Sequence, residues 1–356
     1  MKHINIFSKK RMRPARLLAL LLCLAMALPL TGCGETKMEQ RTVFAMDTVM
    51  TLTAYGKKAA DGLAAAEGVI LSLDAMLDPE LATSTVYAIN HAQGGNTVVS
   101  AQIAKMISTA QVVYNQSGGA LDLSIYPLIK RWGFIDGKYY VPSYSEIAED
   151  LGRLCFDQLV LTSFPATGGY SVSLPSTGEI SFGAVAKGCA SDSAIDAMRQ
   201  AGVKSGIVSL GGNVQTLGLK PDGSQWNVAI TDPDNPNSYV GVIQVGETAV
   251  VTSGSYQRYF TSLDGNTYHH ILNPSSGYPT SNSLVSVTII CEDGTMADSL
   301  STAMFVLGET RALNYWRTYG GFEMIMITKD NRIVCTKGLI DGFEPSTNKY
   351  TLSYSE

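Results

Sequence analysis

From residue 158 onward the chain carries strand after strand without a strict alternation of strand and helix, and that order restricts its fold more than any other feature. Residues 158–162, 170–174, 207–219, 226–231, 239–246 and 284–291 alternate apolar and polar side chains or run in β-branched residues, as strands do. Residues 188–202 read as a helix among them. Two more helices, 296–307 and 309–319, come before a last pair of strands at 323–328 and 332–336. Ahead of this block, 41–55 reads as one strand. Ala60, Leu63, Ala64, Val69, Ile70, Leu73 and Met76 then form a helical stripe over 57–77, which stops at Asp78-Pro79. Ser100 is placed to cap a second helix through Ile103, Met106, Ile107 and Val112 to Gly118-Gly119, and Ser143 with Glu146 makes a capping box. Helices gathered at both ends and strands in the middle, with no βαβ rhythm, predict an α+β fold. The expectation is mixed antiparallel sheets with flanking helices, in a single unit of one lobe or two.

The first residues carry a different message. Lys2, Lys9, Lys10, Arg11, Arg13 and Arg16 precede an apolar run over 17–30 that is shorter than the roughly 20 residues a spanning helix needs. Leu30-Thr31-Gly32-Cys33 then resembles a bacterial lipobox, in which Cys33 is acylated and becomes the first residue; the plainer alternative is an ordinary signal peptide with a chance cysteine. The expected division is a lipoprotein signal peptide at 1–32, a tether at 33–41 and a folded domain at 42–356. It places the mature protein on the extracytoplasmic face of the cell membrane, lipid-anchored.

Losing the signal would lower Lys+Arg from 26 to 20 against 31 Asp+Glu. So acidic a chain argues against nucleic acid as a partner, and implies that any phosphate-ester substrate would need a metal to offset repulsion. Of the cysteines outside the signal and the anchor, Cys155, Cys189, Cys291 and Cys335 form no CxxC pair, and buried free thiols are the expectation.

Four stretches could carry chemistry. In Ala297-Asp298-Ser299-Leu300-Ser301-Thr302-Ala303, Asp298 and Thr302 are four apart and share one helix face. A carboxylate and a hydroxyl are hard oxygen donors that suit Mg²⁺, although Asp and Ser/Thr near a helix start more often cap it. The glycine turns Gly183-Ala184-Val185-Ala186-Lys187-Gly188 and Leu210-Gly211-Gly212-Asn213 would let backbone approach a phosphate, and Lys187 adds charge at a helix start. Neither matches a Rossmann or P-loop spacing. Around Ser255, Arg258 and the pair His269-His270, hydroxyls, a guanidinium and an imidazole could hold a diphosphate and accept a proton. Gly118-Gly119-Ala120-Leu121-Asp122 is a helix stop running into an acidic turn. Spacing alone supports a phosphate-handling enzyme and no more.

Taken in order, these pieces resemble the ApbE flavin-transferase family across essentially the whole chain after the signal: Ala45-Met46-Asp47-Thr48, Gly119 to Asp122 with Pro127-Leu128, Gly183 to Gly188, Ser209 to Asn213, Thr252 to Tyr256, His270 to Pro274 with Gly277, and Ala297 to Thr302. The resemblance implies a T-fold-related catalytic unit. It implies an FAD pocket lined by Met46, Ala120, Leu121, Asp122, Lys187, Ile271 and Leu272, and Mg²⁺ held by Asp298, Thr302 and the carbonyl of Ala184. The implied reaction is attack by an acceptor threonine hydroxyl on the FMN-side phosphorus of FAD, with AMP leaving and His270 as the candidate base. The acceptor would be an extracytoplasmic flavoprotein such as a membrane redox-complex subunit. Three departures stand out. Asp47 replaces the usual glycine, Ser181 stands where an aspartate linked to FAD is common, and Met76-Leu77-Asp78-Pro79-Glu80 lacks an obvious flavin-stacking ring. An FAD pyrophosphatase and a non-catalytic flavin-binding lipoprotein are the competing readings.

Overall fold

The computed structural model describes residues 37–166, 168–263 and 265–355, so the signal-like segment and Cys33 lie outside the described residues. At its centre is a nine-stranded sheet. Its strands are β1 (Met38–Ala45), β2 (Thr48–Tyr55), β3 (Ser205–Leu210), β4 (Asn213–Leu217), β5 (Ala249–Gly254), β6 (Leu284–Cys291), β7 (Glu323–Thr328), β8 (Arg332–Thr336) and β9 (Thr351–Ser355). They lie side by side in chain order. Neighbours are antiparallel from β1 to β8, and β9 closes the edge parallel to β8.

Strand alternation assigns each side chain to one of two cores. On β5, Ala249 and Val251 face one side and Val250 the other; on β7, Met324 and Met326 oppose Ile325 and Ile327. The first side is filled by the long helices α1 (Ala59–Leu77), α2 (Ala101–Ser117), α3 (Ala186–Gln200), α4 (Gly294–Leu307) and α5 (Glu309–Tyr319). The second is covered by a three-stranded sheet of Trp226–Asp232, Asn235–Val245 and Phe343–Pro345. A sheet buried on both faces explains why β6 and β7 read as almost unbroken apolar runs. A satellite core of Leu128, Trp132, Phe134, Ile147 and Leu272 lies beside the hairpin Tyr259–Thr261/Thr267–His269. Trp132 Nε1 donates to the Gly277 carbonyl at 2.9 Å, and Tyr139 stacks on Phe260.

The α+β expectation holds. Ser100 accepts from Ile103 N, Gly118 ends α2 at φ +64°, and Ser143 with Glu146 forms the capping box. Two expected strands are instead hairpins. Residues 41–55 fold back at Met46-Asp47, with φ of +49° and +57°, and 207–219 folds back at Gly211-Gly212, with φ of +59° and +100°. Left-handed pairs at two-residue turns match strand twist, but Met-Asp carries none of the glycine or asparagine that announces such a turn. β1 starts at Met38, inside the stretch read as a tether, and β5 and β9 were not anticipated. Cys155, Cys189 and Cys335 are buried free thiols as expected, whereas Cys291 is half-buried.

Candidate active site

α3 and α4 start against one another, and each supplies the carboxylate that the other's start needs. A helix leaves its first N–H groups without internal partners, and the residue preceding α3, Val185, offers no side-chain cap. Gly188 N donates instead to Asp298 Oδ2 on α4, at 2.8 Å. In return, Asp192 on α3 accepts from Gly294 N at 2.7 Å, Thr295 N at 3.0 Å and Thr295 Oγ1 at 2.7 Å at the start of α4. The cap of α4 within its own chain is Asp293. Asp298 therefore caps a helix, but not its own. Gly188 permits the crossing: a Cβ there would run into the Gly294 carbonyl oxygen and come within 2.7 Å of Asp298 Cβ.

The two carboxylates are unequally provided for. Burial opposes the charge on Asp192, but Lys105 at 2.8 Å, Thr295 and Gln215 at 3.0 Å outweigh it, and its carboxyl stays below the ordinary carboxylate value. Asp298 is 3% exposed, and there burial wins over Lys187, Asn213 and the Gly188 N–H, pushing its carboxyl up. A buried carboxylate short of positive partners is what a cation relieves. The Ala184 carbonyl, just ahead of the residue that precedes α3, takes no backbone hydrogen bond among the described residues. Thr302 lies one turn beyond Asp298 on α4, with Ser253 Oγ at 3.3 Å from its hydroxyl. No cluster of three or more His, Cys, Asp or Glu occurs among the described residues. One carboxylate with neutral oxygens fits Mg²⁺, which takes much of its shell from water and substrate phosphate.

The rim is built by turns. The β1–β2 and β3–β4 turns are neighbours, since Met50 pairs with Leu210, and a Cβ on Gly211 would overlap Thr48. Met46 N donates to Asp74 Oδ1 at 2.8 Å, and Asp47 Oδ2 stands 4.0 Å from Arg258 Nη2. Both partners of that pair are exposed, so it contributes little energy, but it sets a cation beside the charge that replaces the usual glycine.

His270 is half-buried. Its Nδ1 lies 3.0 Å from the Arg258 carbonyl, which can only accept, so Nδ1 carries the proton and Nε2 the free lone pair. Burial pushes its pKa down to about 4, aided by Lys187, His269 and Arg258. Lys187 thus bears on both His270 and Asp298. His269 differs: Nε2 meets the Thr280 carbonyl at 3.0 Å, Nδ1 accepts from Ile271 N at 3.3 Å, and the ring packs edge-on to Phe305. Both its nitrogens are spent on holding the loop. A pH dependence follows for His270. Between its ordinary value of 6.5 and about 4, the unfolded chain binds a proton that the folded chain refuses. Stability should therefore fall by on the order of 3 kcal/mol as pH drops through that window. His270→Asn, which keeps a donor at the Nδ1 position, should flatten this part of the Tm–pH curve in calorimetry.

The other anticipated residues divide. Met46, Ala184, Lys187, Arg258 and Thr302 are partly accessible: Met46 lies in a rim turn, Arg258 faces Asp47 of that turn, Lys187 bears on Asp298, and Thr302 shares α4 with it. Ala120, Leu121 and Ile271 are packed into the main core and Leu272 into the satellite core. Asp122 Oδ1 is occupied by Ser124 N at 2.7 Å and Ser124 Oγ at 2.6 Å, capping the turn Leu123–Ile125. The Leu123 carbonyl receives Ser181 N at 2.9 Å, joining that segment to the glycine turn, where Ser181 Oγ accepts from Gly183 N. Ser255 directs both N and Oγ to the Val285 carbonyl. Sequence reasoning gave no role to Asn90, whose side-chain amide pairs with both backbone groups of Ile180 and steadies this junction, nor to Asn213. Asn213 was visible only as the end of a glycine turn; Asn90 carried no signal. A concavity of about 890 Å³ between Thr248, Cys291, Trp316 and Lys337 opens at the opposite ends of β5 and β6 and does not include Asp298.

Comparison with known proteins gives a consistent picture. The ApbE family profile matches residues 46–326. The FAD:protein FMN transferase of Treponema pallidum is 31% identical over 327 residues, covering 87% of this chain and 90% of that protein. A protein of the same name from Klebsiella pneumoniae is 33% identical over 278 residues, 77% of this chain and 84% of its own length. An ApbE protein of Thermotoga maritima superimposes with a TM-score of 0.78 at 28% identity, over 85% of this chain and 98% of that one.

Proposed function

Because the chain belongs to the ApbE family, we propose that it is an FAD:protein FMN transferase that uses Mg²⁺ to move FMN from FAD onto a threonine hydroxyl of an acceptor protein, releasing AMP. The observation that carries this reading is the underpaired Asp298 carboxylate buried at the start of α3, one turn from Thr302 on α4, with the Ala184 carbonyl just ahead of α3 taking no backbone hydrogen bond among the described residues. When bound there, Mg²⁺ would supply positive charge across the diphosphate oxygens. Lys187 and the N-terminus of α3 add a positive potential on the same side, favouring an anion. His270 presents Nε2 without its proton. As the threonine Oγ bonds to the FMN phosphorus and the bond to the AMP phosphate breaks, the threonine proton passes to that nitrogen. The low pKa makes it a weak base at rest but keeps it neutral at ambient pH. Arg258 at the rim would orient the diphosphate.

Cys33 would anchor the protein on the extracytoplasmic face of the membrane, where acceptors such as redox-complex subunits would be met. The test is mass spectrometry of a candidate acceptor domain incubated with the protein, FAD and Mg²⁺. One FMN added to a threonine, with AMP released and both lost in EDTA, is expected. FMN and AMP set free beside an unmodified acceptor would make it an FAD pyrophosphatase, and intact bound FAD a flavin carrier.

A further inference from the structure

β4 sets Asn213 and Gln215 on one face, two residues apart. Gln215 donates its Nε2 to Asp192 Oδ1 at 3.0 Å and leaves only Oε1 unpaired. Asn213 bears on Asp298, whose charged form it favours. Yet Asn213 is 1% exposed, and neither its Nδ2 nor its Oδ1 completes a hydrogen bond. A buried polar group left without a partner costs about 1–3 kcal/mol, and a leucine of similar size would avoid that cost. The two carboxylates differ in the same sense. Asp192 has Lys105, Gln215, Gly294 and Thr295 as donors, whereas among the described residues Asp298 has the Gly188 N–H alone as a well-formed one. The orphaned amide and the undersupplied carboxylate face each other.

We propose that Asn213 is a positioning residue for the cation site: its Nδ2 steadies the Asp298 oxygen that Gly188 does not hold, and its Oδ1 accepts from a water in the cation's shell. Groups in that outer shell fix the orientation of the ligands that touch the metal, and their loss weakens binding by about 10–100-fold. The inference rests on the reading of Asp298 as a cation ligand, and the experiment separates the two. Mn²⁺ alone, which takes the same oxygen donors as Mg²⁺, is titrated into wild type, Asn213→Leu, Asn213→Ala and Asp298→Ala by electron paramagnetic resonance, and the metal-free Tm of each is measured.

Asn213→Leu should keep or raise the metal-free Tm and weaken Mn²⁺ about 10–100-fold. A purely structural residue would move the Tm and leave the Kd alone, and a Kd within twofold of wild type in Asn213→Leu overturns the inference whatever the Tm does. If the leucine variant does not fold, Asn213→Ala is read by the same criterion. Wild type that binds Mn²⁺ no better than Asp298→Ala overturns the cation reading itself, and this inference with it.

Discussion

Asp298→Ala is expected to lower Mg²⁺-dependent flavin transfer by about a thousandfold while leaving the folded state within about 1 kcal/mol of wild type. The rate term comes from removing the single carboxylate among the candidate ligands. A bound cation contributes several kcal/mol to a phosphoryl transition state, and about 4 kcal/mol corresponds to three decades. The stability term nearly cancels. The variant leaves Gly188 N without an acceptor, a loss of about 1 kcal/mol, but it also removes a buried charge that its surroundings do not fully support. Transfer rates by mass spectrometry and Tm by calorimetry check both halves. A variant retaining a tenth of the rate would mean that the cation is held elsewhere, and one that unfolds would mean that capping α3 is the main task of Asp298.

Gly188→Ala should be strongly destabilising although it only exchanges a single hydrogen for a methyl group. Helix propensity alone favours alanine by about 0.5–1 kcal/mol. Here the added carbon meets the Gly294 carbonyl and Asp298 Cβ, and a carbonyl fixed in the first turn of α4 cannot swing aside as a side-chain tip would. The helices must part, breaking the 2.8 Å bond from Gly188 N to Asp298 and loosening Gly294 on Asp192. Overpacking costs about 1–3 kcal/mol and occasionally more, this backbone clash belongs at the upper end, and cation binding should go with it. Gly68, in α1 with nothing within 4 Å of its added Cβ, is the control: Gly68→Ala should stabilise by the propensity difference. If the two variants behave alike in thermal unfolding, the tight crossing is not what requires glycine at 188.

Much of the fold was legible because burial on both faces of the sheet writes itself into the chain as apolar runs. β6, β7, β8 and α5 fall at their expected residues. β5 escaped because Thr252-Ser253-Gly254 at its end looks like a loop, and β9 because Thr351–Ser355 is polar and needs β8 beside it to be a strand. The Met46-Asp47 turn was hidden because left-handed backbone at two non-glycine residues has no compositional mark. Within the site, Asp298 and Thr302 could be paired from spacing. What Asp298 does to α3 could not, because Gly188 is 110 residues away. Asn213 was obscured for a related reason: a missing hydrogen bond is a property of surroundings, which no local pattern encodes.

The exchange of carboxylates between α3 and α4 also bears on how the chain must fold. Neither helix start is complete by itself, and their partners are separated by roughly a hundred residues of chain, a span whose closure carries an entropic cost. A chain in which α3 has formed but α4 has not docked has no Asp298 beside Gly188 and would lack the proposed cation site. Under the proposed function, metal capture would wait until the two regions meet, so a half-folded molecule would neither trap the ion early nor spend flavin on unproductive chemistry.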